Sequence, residues 1–393
     1  MKVIYLVLDG LGDRPIKEMS YKTPLEAANK PNWDSLARNS LLGLHWAVKR
    51  NFAPESDAAT LALLGYDPFN YYTGRGPLEA FGAGLKIEKG EIVARCNFAF
   101  EESGYLKEVE AKISDDVAKE LCKKLNSEIK EIDGVQTKIF HTKGYRAVLI
   151  LRGKNLGLEI EGNHPGYALF KGFVSRALPS RGGKIKLCKA LNKKSERAAK
   201  IVNKWLLAAN GVLKVHSPST ANTILLRGFG NKIPKLPKRT GWAAIAGMPA
   251  ERAIAKFAGM ALCFPKKNLV GQIENLLKKH LAVYVHIKDP DSISHSGNFI
   301  GKKEFFENFD LFFKELCSSK VLSECAICVT GDHSTPCSLR AHSGDPVPVL
   351  LHIPGKKGDL LNFSEKECKN GSLGYLTGLK LFNKINQLIK HGK

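Results

Sequence analysis

At 393 residues the chain is too long for one ordinary core, so two domains are expected, and 44% hydrophobic with 25% charged residues fits a soluble globular protein. No apolar run reaches the about 18 residues of a membrane span and no secretory signal is visible before Asp9; nine scattered cysteines, an odd number, suit reduced thiols in a cytoplasm, not a disulfide framework. A net charge of +22 admits nucleic acid, a membrane surface or anionic substrates, but the lysines fall on helix- and loop-like stretches such as the tail KLFNKINQLIKHGK, so neither nucleic acid nor a membrane is the expected partner.

The first element is KVIYLVLDG, Lys2 to Gly10. This apolar run ended by Asp9-Gly10 reads as a buried parallel strand with a functional loop at its C-terminal end. TPLEAANKPNWDSL follows as one helix-like stretch. In PESDAATLALLGYDP, Ser56 and Asp57 sit where a helix begins, with Leu61 and Leu64 on its apolar side. The glycine-rich YYTGRGPLEAFGAGL reads as a loop leading to a helix or crossover. From about residue 89 the texture changes. IVARCNFAF and KIFHTKGYRAVLILRG read as strands separated by the helical VAKELCKKLNSEIK, an α+β unit of the kind inserted into another domain. GGKIKLCKALNKKSERAAKIVNKWLLAANGVL reads as one long or two shorter basic helices, and STANTILLRGFG restores the strand-then-glycine pattern. AAIAG, VYVHIK, CAICVTG and PVPVLLHIPG then alternate with helices to the end. Such alternation implies an α/β fold, a doubly wound, mainly parallel sheet, built from residues 1–88 and 219–393, with 89–218 as a smaller inserted α+β domain.

Three strand ends carry acids and imidazoles. Asp9 ends the first, Asp289, Asp291 and His295 follow LAVYVHIK, and Asp332, His333 and His342 lie in TGDHSTPCSLRAHSGDPVP after CAICV. Ligands of open α/β sheets bind beyond the carboxyl ends of the strands, so one rim can collect all these groups. Singly, each is as well explained by a turn, a polar loop or, for Ser56, a helix N-cap; their joint placement is what argues for a site. Asp9, Asp291, His295, Asp332, His333 and His342 offer enough oxygen and imidazole donors for two divalent ions. Paired ions stabilise the attacking and leaving oxygens of phosphoryl transfer. Ser56 is then a candidate nucleophile, because metal coordination lowers the pKa of a serine hydroxyl and a helix N-terminus favours an incoming phosphate. The inferred chemistry is phosphoryl transfer through phosphoserine, with arginines clamping an anionic substrate.

Together with YTGRGPLEAFGAG, ARCNFA and ANTILLRGFG, these segments resemble, over nearly the full length, the archaeal-type cofactor-independent phosphoglycerate mutases of the alkaline phosphatase superfamily. The resemblance implies an alkaline-phosphatase-like core carrying two divalent metal ions, Mn2+ in first place and Mg2+, Co2+ or Zn2+ otherwise, with an inserted substrate or lid domain. It also implies a small phosphorylated carboxylic acid as substrate: 2-phosphoglycerate and 3-phosphoglycerate, interconverted in glycolysis and gluconeogenesis, with the oligomeric state left open. Residue by residue, it makes Ser56 the nucleophile. It gives Asp9, Ser56, Asp332 and His333 to one metal and Asp291, His295 and His342 to the other, the spacing of four to His295 preferring Asp291 over Asp289. Arg75, Arg95, Arg146, Arg227 and Arg239 are the candidates for holding substrate, against the ordinary alternative of a surface or loop contact for each.

The chain departs from the family pattern at Glu55, where glycine is usual, at Ser296 after His295, and after ARCNFA, where GYLKEVEAKIS replaces a stretch rich in Asp and Arg. An alternative is therefore a phosphomonoesterase, or a mutase acting on another small phosphate ester, with the same two-metal core. A non-catalytic basic protein that binds RNA is a further alternative, supported by the charge alone.

Overall fold

The computed structural model describes residues 1–179, 182–217, 219–320 and 323–390; the end of the lysine-rich tail lies outside the described residues. The chain divides into two units, one formed by Met1–Tyr71 with Lys235–Lys393 and the other by Tyr72–Pro234.

In the first unit the wholly buried strand Val3–Leu8 belongs to an eight-stranded sheet. The order across it is Ala261–Cys263, Trp242–Ile245, Ala282–Ile287, Val3–Leu8, Ala326–Thr330, Val347–His352, Leu41–Trp46 and Gly374–Thr377. Val3–Leu8 has no charged residue on either face, as expected of a strand covered on both sides. It pairs in parallel with both neighbours, Leu8 opposite Ile287 and Val7 opposite Thr330, so three strand ends reach one rim. Val347–His352 breaks the parallel pattern by running antiparallel to both of its neighbours.

One face of this unit is organised around Trp33, on the helix Pro31–Arg38. Its ring stacks on Phe313 and Phe363 at centroid distances of 4.5 and 5.0 Å and meets Phe306 edge-on. Asp310 closes the arrangement by accepting from Trp33 N at 2.8 Å and Asn32 Nδ2 at 2.6 Å. The stretch expected as one helix is two, Pro24–Ala27 and Pro31–Arg38. A residue before proline avoids the α region, and Lys30 indeed turns the chain at φ −136°, ψ 62°.

In the second unit the strand Glu91–Glu102 pairs antiparallel with Arg146–Arg152, Tyr105–Glu108 and Thr223–Gly230. Its side chains alternate between faces. Ile92, Ala94, Cys96 and Phe98 join the core formed with the helices Asp115–Glu128 and Glu196–His216, while Val93 packs with Ala80 of the helix Arg75–Gly82.

Two segments thus fall elsewhere than their sequence pattern suggested. Arg75–Gly82 and Thr223–Gly230, expected within 1–88 and 219–393 of the core, belong to the second unit. The reason is the long strand Glu91–Glu102, whose edge Thr223–Arg227 fills in antiparallel register. The basic stretch expected as helix from its start contains two short strands, Gly183–Lys184 and Lys189–Ala190, before the helix Glu196–His216. Among the described residues no helix is long and apolar enough to cross a membrane, and all nine cysteines are free.

Trp33→Ala empties the centre of the aromatic cluster and should lower the unfolding free energy of the first unit by about 3–5 kcal/mol. A urea midpoint, read by circular dichroism, within error of the unaltered chain would show that the cluster is not the core it resembles.

Candidate metal centre

Asp9, Asp332 and His333 follow strand ends, Ser56 and Asp291 sit in first helical turns, His295 lies in the last turn of the helix that carries Asp291, and His342 comes from the loop before Val347–His352. Asp9 follows Leu8 and is fully buried, and Gly10 after it adopts φ +67°. Space as well as conformation demands glycine there, since a Cβ would stand 2.7 Å from Thr335 Oγ1 and 2.9 Å from Asp291 Cα. Gly10 N donates to Asp332 Oδ1 at 3.1 Å, which joins the loop after Val3–Leu8 to the loop after Ala326–Thr330. Asp291 and His295 lie one turn apart on the helix Asp289–Ser296, and Asp289, at its exposed start, stays outside the cluster.

Ser56 opens the helix Ser56–Leu63, every residue of which is buried. The N-cap position is Glu55, whose side chain makes no capping bond, and Ser56 Oγ lies 3.2 Å from His333 Nε2. Ser56 is therefore not the helix cap; its hydroxyl faces the cluster.

The three imidazoles present the same nitrogen inward. His342 Nδ1 is 2.8 Å from Pro54 O and His295 Nδ1 is 2.9 Å from Arg340 O. A carbonyl only accepts, so each Nδ1 carries a proton and the Nε2 of each neutral ring keeps its lone pair. Thr335 makes the same assignment for His333, donating its hydroxyl to Asp291 Oδ1 at 2.8 Å and accepting from His333 Nδ1 at 3.1 Å. The inward lone pairs then face carboxylates. His333 Nε2 is 3.3 Å from Asp9 Oδ1, and the Nε2 atoms of His295 and His342 are 3.3 and 3.5 Å from Asp291 Oδ1.

Acceptors set against acceptors at such distances are complementary to a shared cation, not to one another. Asp9 Oδ1 and Asp332 Oδ2, both buried, have no hydrogen-bond partner among the described residues. Asp9, Asp332 and His333 place ligand atoms within 4.8 Å of one another, as do Asp291, His333 and His342. These residues fit divalent metal ions, with a carboxylate and imidazole donor set. His333 lies in both groups, whereas His295 approaches through Asp291.

Burial, with the Asp332 charge adding to it, pushes the Asp9 carboxyl up to about 7. Burial alone would do the same to Asp291, but Lys288 holds that carboxyl well below its usual range. Burial also lowers His333 to about 3, which keeps its ring neutral. Lys288, unnoticed in the sequence, donates to Asp9 Oδ2 at 2.8 Å and Asp291 Oδ2 at 2.6 Å. The oxygens are thereby sorted, Oδ2 of each acid to the ammonium and Oδ1 to the imidazoles. His286, equally unnoticed, lies 3.6 Å from Asp9 Oδ2. Both sit at the end of VYVHIK, where a histidine inside a buried strand and a lysine closing it were the available signals.

The candidate arginines divide. In the second unit Arg75 and Arg95 lie 3.5 and 3.6 Å from Glu79, and they and Arg146 hold its carboxyl low against the effect of burial. Arg227, in the same unit, stacks on Tyr167 at 3.8 Å. Arg239 lies in the first unit. Its guanidinium donates twice to Leu64 O, at the C-terminus of the Ser56–Leu63 helix, and lies between the rings of Tyr66 and Phe382.

The sequence matches two family models, 2,3-bisphosphoglycerate-independent phosphoglycerate mutase over residues 37–218 and the Metalloenzyme superfamily over residues 264–384. Proteins named 2,3-bisphosphoglycerate-independent phosphoglycerate mutase from Sulfolobus acidocaldarius and Aeropyrum pernix are each 36% identical, over 97% and 96% of this chain and 96% and 97% of theirs. A solved cofactor-independent phosphoglycerate mutase from Thermoplasma acidophilum superposes with a TM-score of 0.59 at 27% identity, covering 99% of this chain and 100% of the other. A solved Pyrococcus horikoshii protein does so with a TM-score of 0.76, also at 27% identity, over 100% and 98%.

Since Asp9 holds its proton up to about pH 7 and His333 has lost its own by about pH 3, a metal ion must displace a proton only on the acid side of neutrality. Calorimetric titration of chelator-treated protein with Mn2+ should show affinity falling, by up to about tenfold per unit, as pH drops from about 7 to about 5. The fall should come with proton release into the buffer. An affinity flat over that interval would contradict the assignment of Asp9 as a ligand.

Proposed function

The chain belongs to the 2,3-bisphosphoglycerate-independent phosphoglycerate mutase family, and from that premise we propose that it interconverts 2-phosphoglycerate and 3-phosphoglycerate through a phosphoserine on Ser56. The observation that carries this reading is Ser56 Oγ, at the head of a buried helix and 3.2 Å from His333 Nε2, facing two groups of metal donors.

Divalent ions held by Asp9, Asp332 and His333 and by Asp291, His295 and His342 would neutralise phosphoryl oxygens and acidify the Ser56 hydroxyl. Mn2+ accommodates a mixed carboxylate and imidazole set, and Mg2+, Co2+ and Zn2+ are the others to compare. Ser56 Oγ forms a bond to phosphorus as the ester bond of the substrate breaks. The second hydroxyl of the same glycerate then attacks the phosphoserine and restores Ser56. The proton lost by one hydroxyl is matched by the one its replacement alkoxide takes up, so the cycle is proton-neutral. The amides at the start of Ser56–Leu63 are oriented to favour the phosphate. Ser56 is only 6% exposed, which supports return of the phosphoryl group to substrate over its loss to water.

In the second unit three arginines, Arg75, Arg95 and Arg146, share Glu79. Their excess positive charge suits the carboxylate or phosphate of the substrate, and Arg227 is assigned with them. Arg239 leaves that set. The free thiols suit work in a reducing cytoplasm, in glycolysis and gluconeogenesis.

Purified protein stripped with chelator and resupplied with Mn2+ should convert 3-phosphoglycerate to 2-phosphoglycerate without added 2,3-bisphosphoglycerate. Ser56→Ala should lower kcat by at least about a thousandfold. Full activity in that variant would overturn the mechanism, and release of inorganic phosphate in place of 2-phosphoglycerate would favour a phosphomonoesterase.

A further inference from the structure

Lys302 lies in the first turn of the helix Phe299–Ser318 and is completely buried. The residue beside it, Lys303, makes an ordinary partly exposed pair with Glu307 one turn along. An ammonium inside the protein is costly, and one near a helix N-terminus also opposes the helix dipole. Strong compensation is therefore required. It comes from four acceptors around Nζ: Gly10 O at 2.9 Å, Asp13 Oδ2 at 2.9 Å, Thr335 O at 3.2 Å and Gly12 O at 3.3 Å.

These acceptors belong to two loops. Gly10 and Gly12 follow Asp9, and Thr335 follows His333 at a distance of two residues. Asp13 ties the same loops a second time, because its carboxylate accepts from Cys337 N at 3.1 and 3.2 Å. Thr335 N donates to Gly12 O at 3.0 Å and completes the junction. Asp13 is itself anchored, donating from its backbone N to Glu365 Oε1 at 3.0 Å, while Glu365 Oε2 accepts from Thr23 Oγ1 at 2.6 Å. The consequence reaches the donors through Thr335, whose hydroxyl orients His333 and bonds to Asp291.

A buried ion pair adds little net stability over well-packed apolar residues of the same volume. What it supplies here is direction, since one ammonium with three N–H bonds fixes carbonyls of both loops relative to each other. We infer that the Lys302–Asp13 pair is a positioning clamp that locks the loop after Asp9 onto the loop after His333, and so sets the donor spacing on which metal affinity depends. Neither side chain touches a donor side chain. Both act through Gly10, Gly12, Thr335 and Cys337. The clamp rests on the metal reading of the centre, and its test must separate the two.

Mn2+ binding to the full-length, chelator-treated protein, measured without substrate by the electron paramagnetic resonance of free Mn2+, makes that separation. Lys302→Met should weaken Mn2+ binding about 10–100-fold, the range seen when groups supporting metal ligands are removed. Asp13→Asn keeps an oxygen for Cys337 N but loses the charge, and should weaken binding by a smaller factor. The double variant should bind no worse than Lys302→Met, because both changes break one coupled unit. Thermal unfolding of the metal-free proteins serves as the control, since a merely stabilising pair would lower the midpoint and leave Mn2+ affinity unchanged. Should Lys302→Met fail to fold, Asp13→Asn decides alone. Unaltered Mn2+ affinity in either folded variant overturns the clamp. If the unsubstituted protein binds no Mn2+, the metal reading falls and the clamp with it.

Discussion

Three carboxylates, those of Asp9, Asp291 and Asp332, are taken almost wholly out of water at one rim of the sheet, and the surrounding structure is arranged to tolerate them. A buried, unpaired carboxylate carries a penalty of several kcal/mol. Lys288 answers part of it by holding one oxygen of Asp9 and one of Asp291. The amides of Gly10 and His333 serve Asp332. Three imidazoles complete the surroundings, but each has its proton turned outward to a carbonyl or hydroxyl and its lone pair turned in. The His333 ring, kept neutral by burial, adds no charge. The donor set makes chemical sense around divalent ions, in keeping with the match of residues 264–384 to the Metalloenzyme superfamily.

The parallel sheet makes this concentration possible. Strands that run the same way deliver their ends to the same rim, so Asp9, Asp332 and the helix bearing Asp291 converge without long loops. Close approach then depends on Gly10, where a side chain would collide with Thr335 and Asp291. Two lysines divide the remaining work. Lys288 holds carboxylate oxygens directly, whereas Lys302 holds the backbone of the loops that carry them.

Much of the centre is legible in the sequence because apolar runs ending in Asp-Gly, in Asp-x-x-x-His or in Gly-Asp-His mark strand ends with chemistry attached. Lys302 is hidden because in KKEFFENFD it looks like half of a solvated lysine pair, and only packing makes it differ from Lys303. Lys288 and His286 were easier to have found, since a buried strand has little other use for either. STANTILLRGFG shows a different limit. Its pattern announces a strand correctly, but partner and direction are settled by the open edge of Glu91–Glu102, a fact of tertiary structure. Arg239 shows a third. Nearness to matched motifs suggested substrate, whereas its guanidinium is engaged by the Leu64 carbonyl at the end of the Ser56 helix and by two aromatic rings.

The central claim is that the buried acids and imidazoles exist to make Ser56 accept and return a phosphoryl group. Rapid quenching of the Mn2+-loaded protein during turnover of 3-phosphoglycerate, followed by peptide mass spectrometry, tests it most directly. The account predicts a phosphoryl group on the peptide containing Ser56, absent from chelator-treated protein. Sustained turnover with that peptide unmodified, or with the phosphoryl group on another residue, would contradict it.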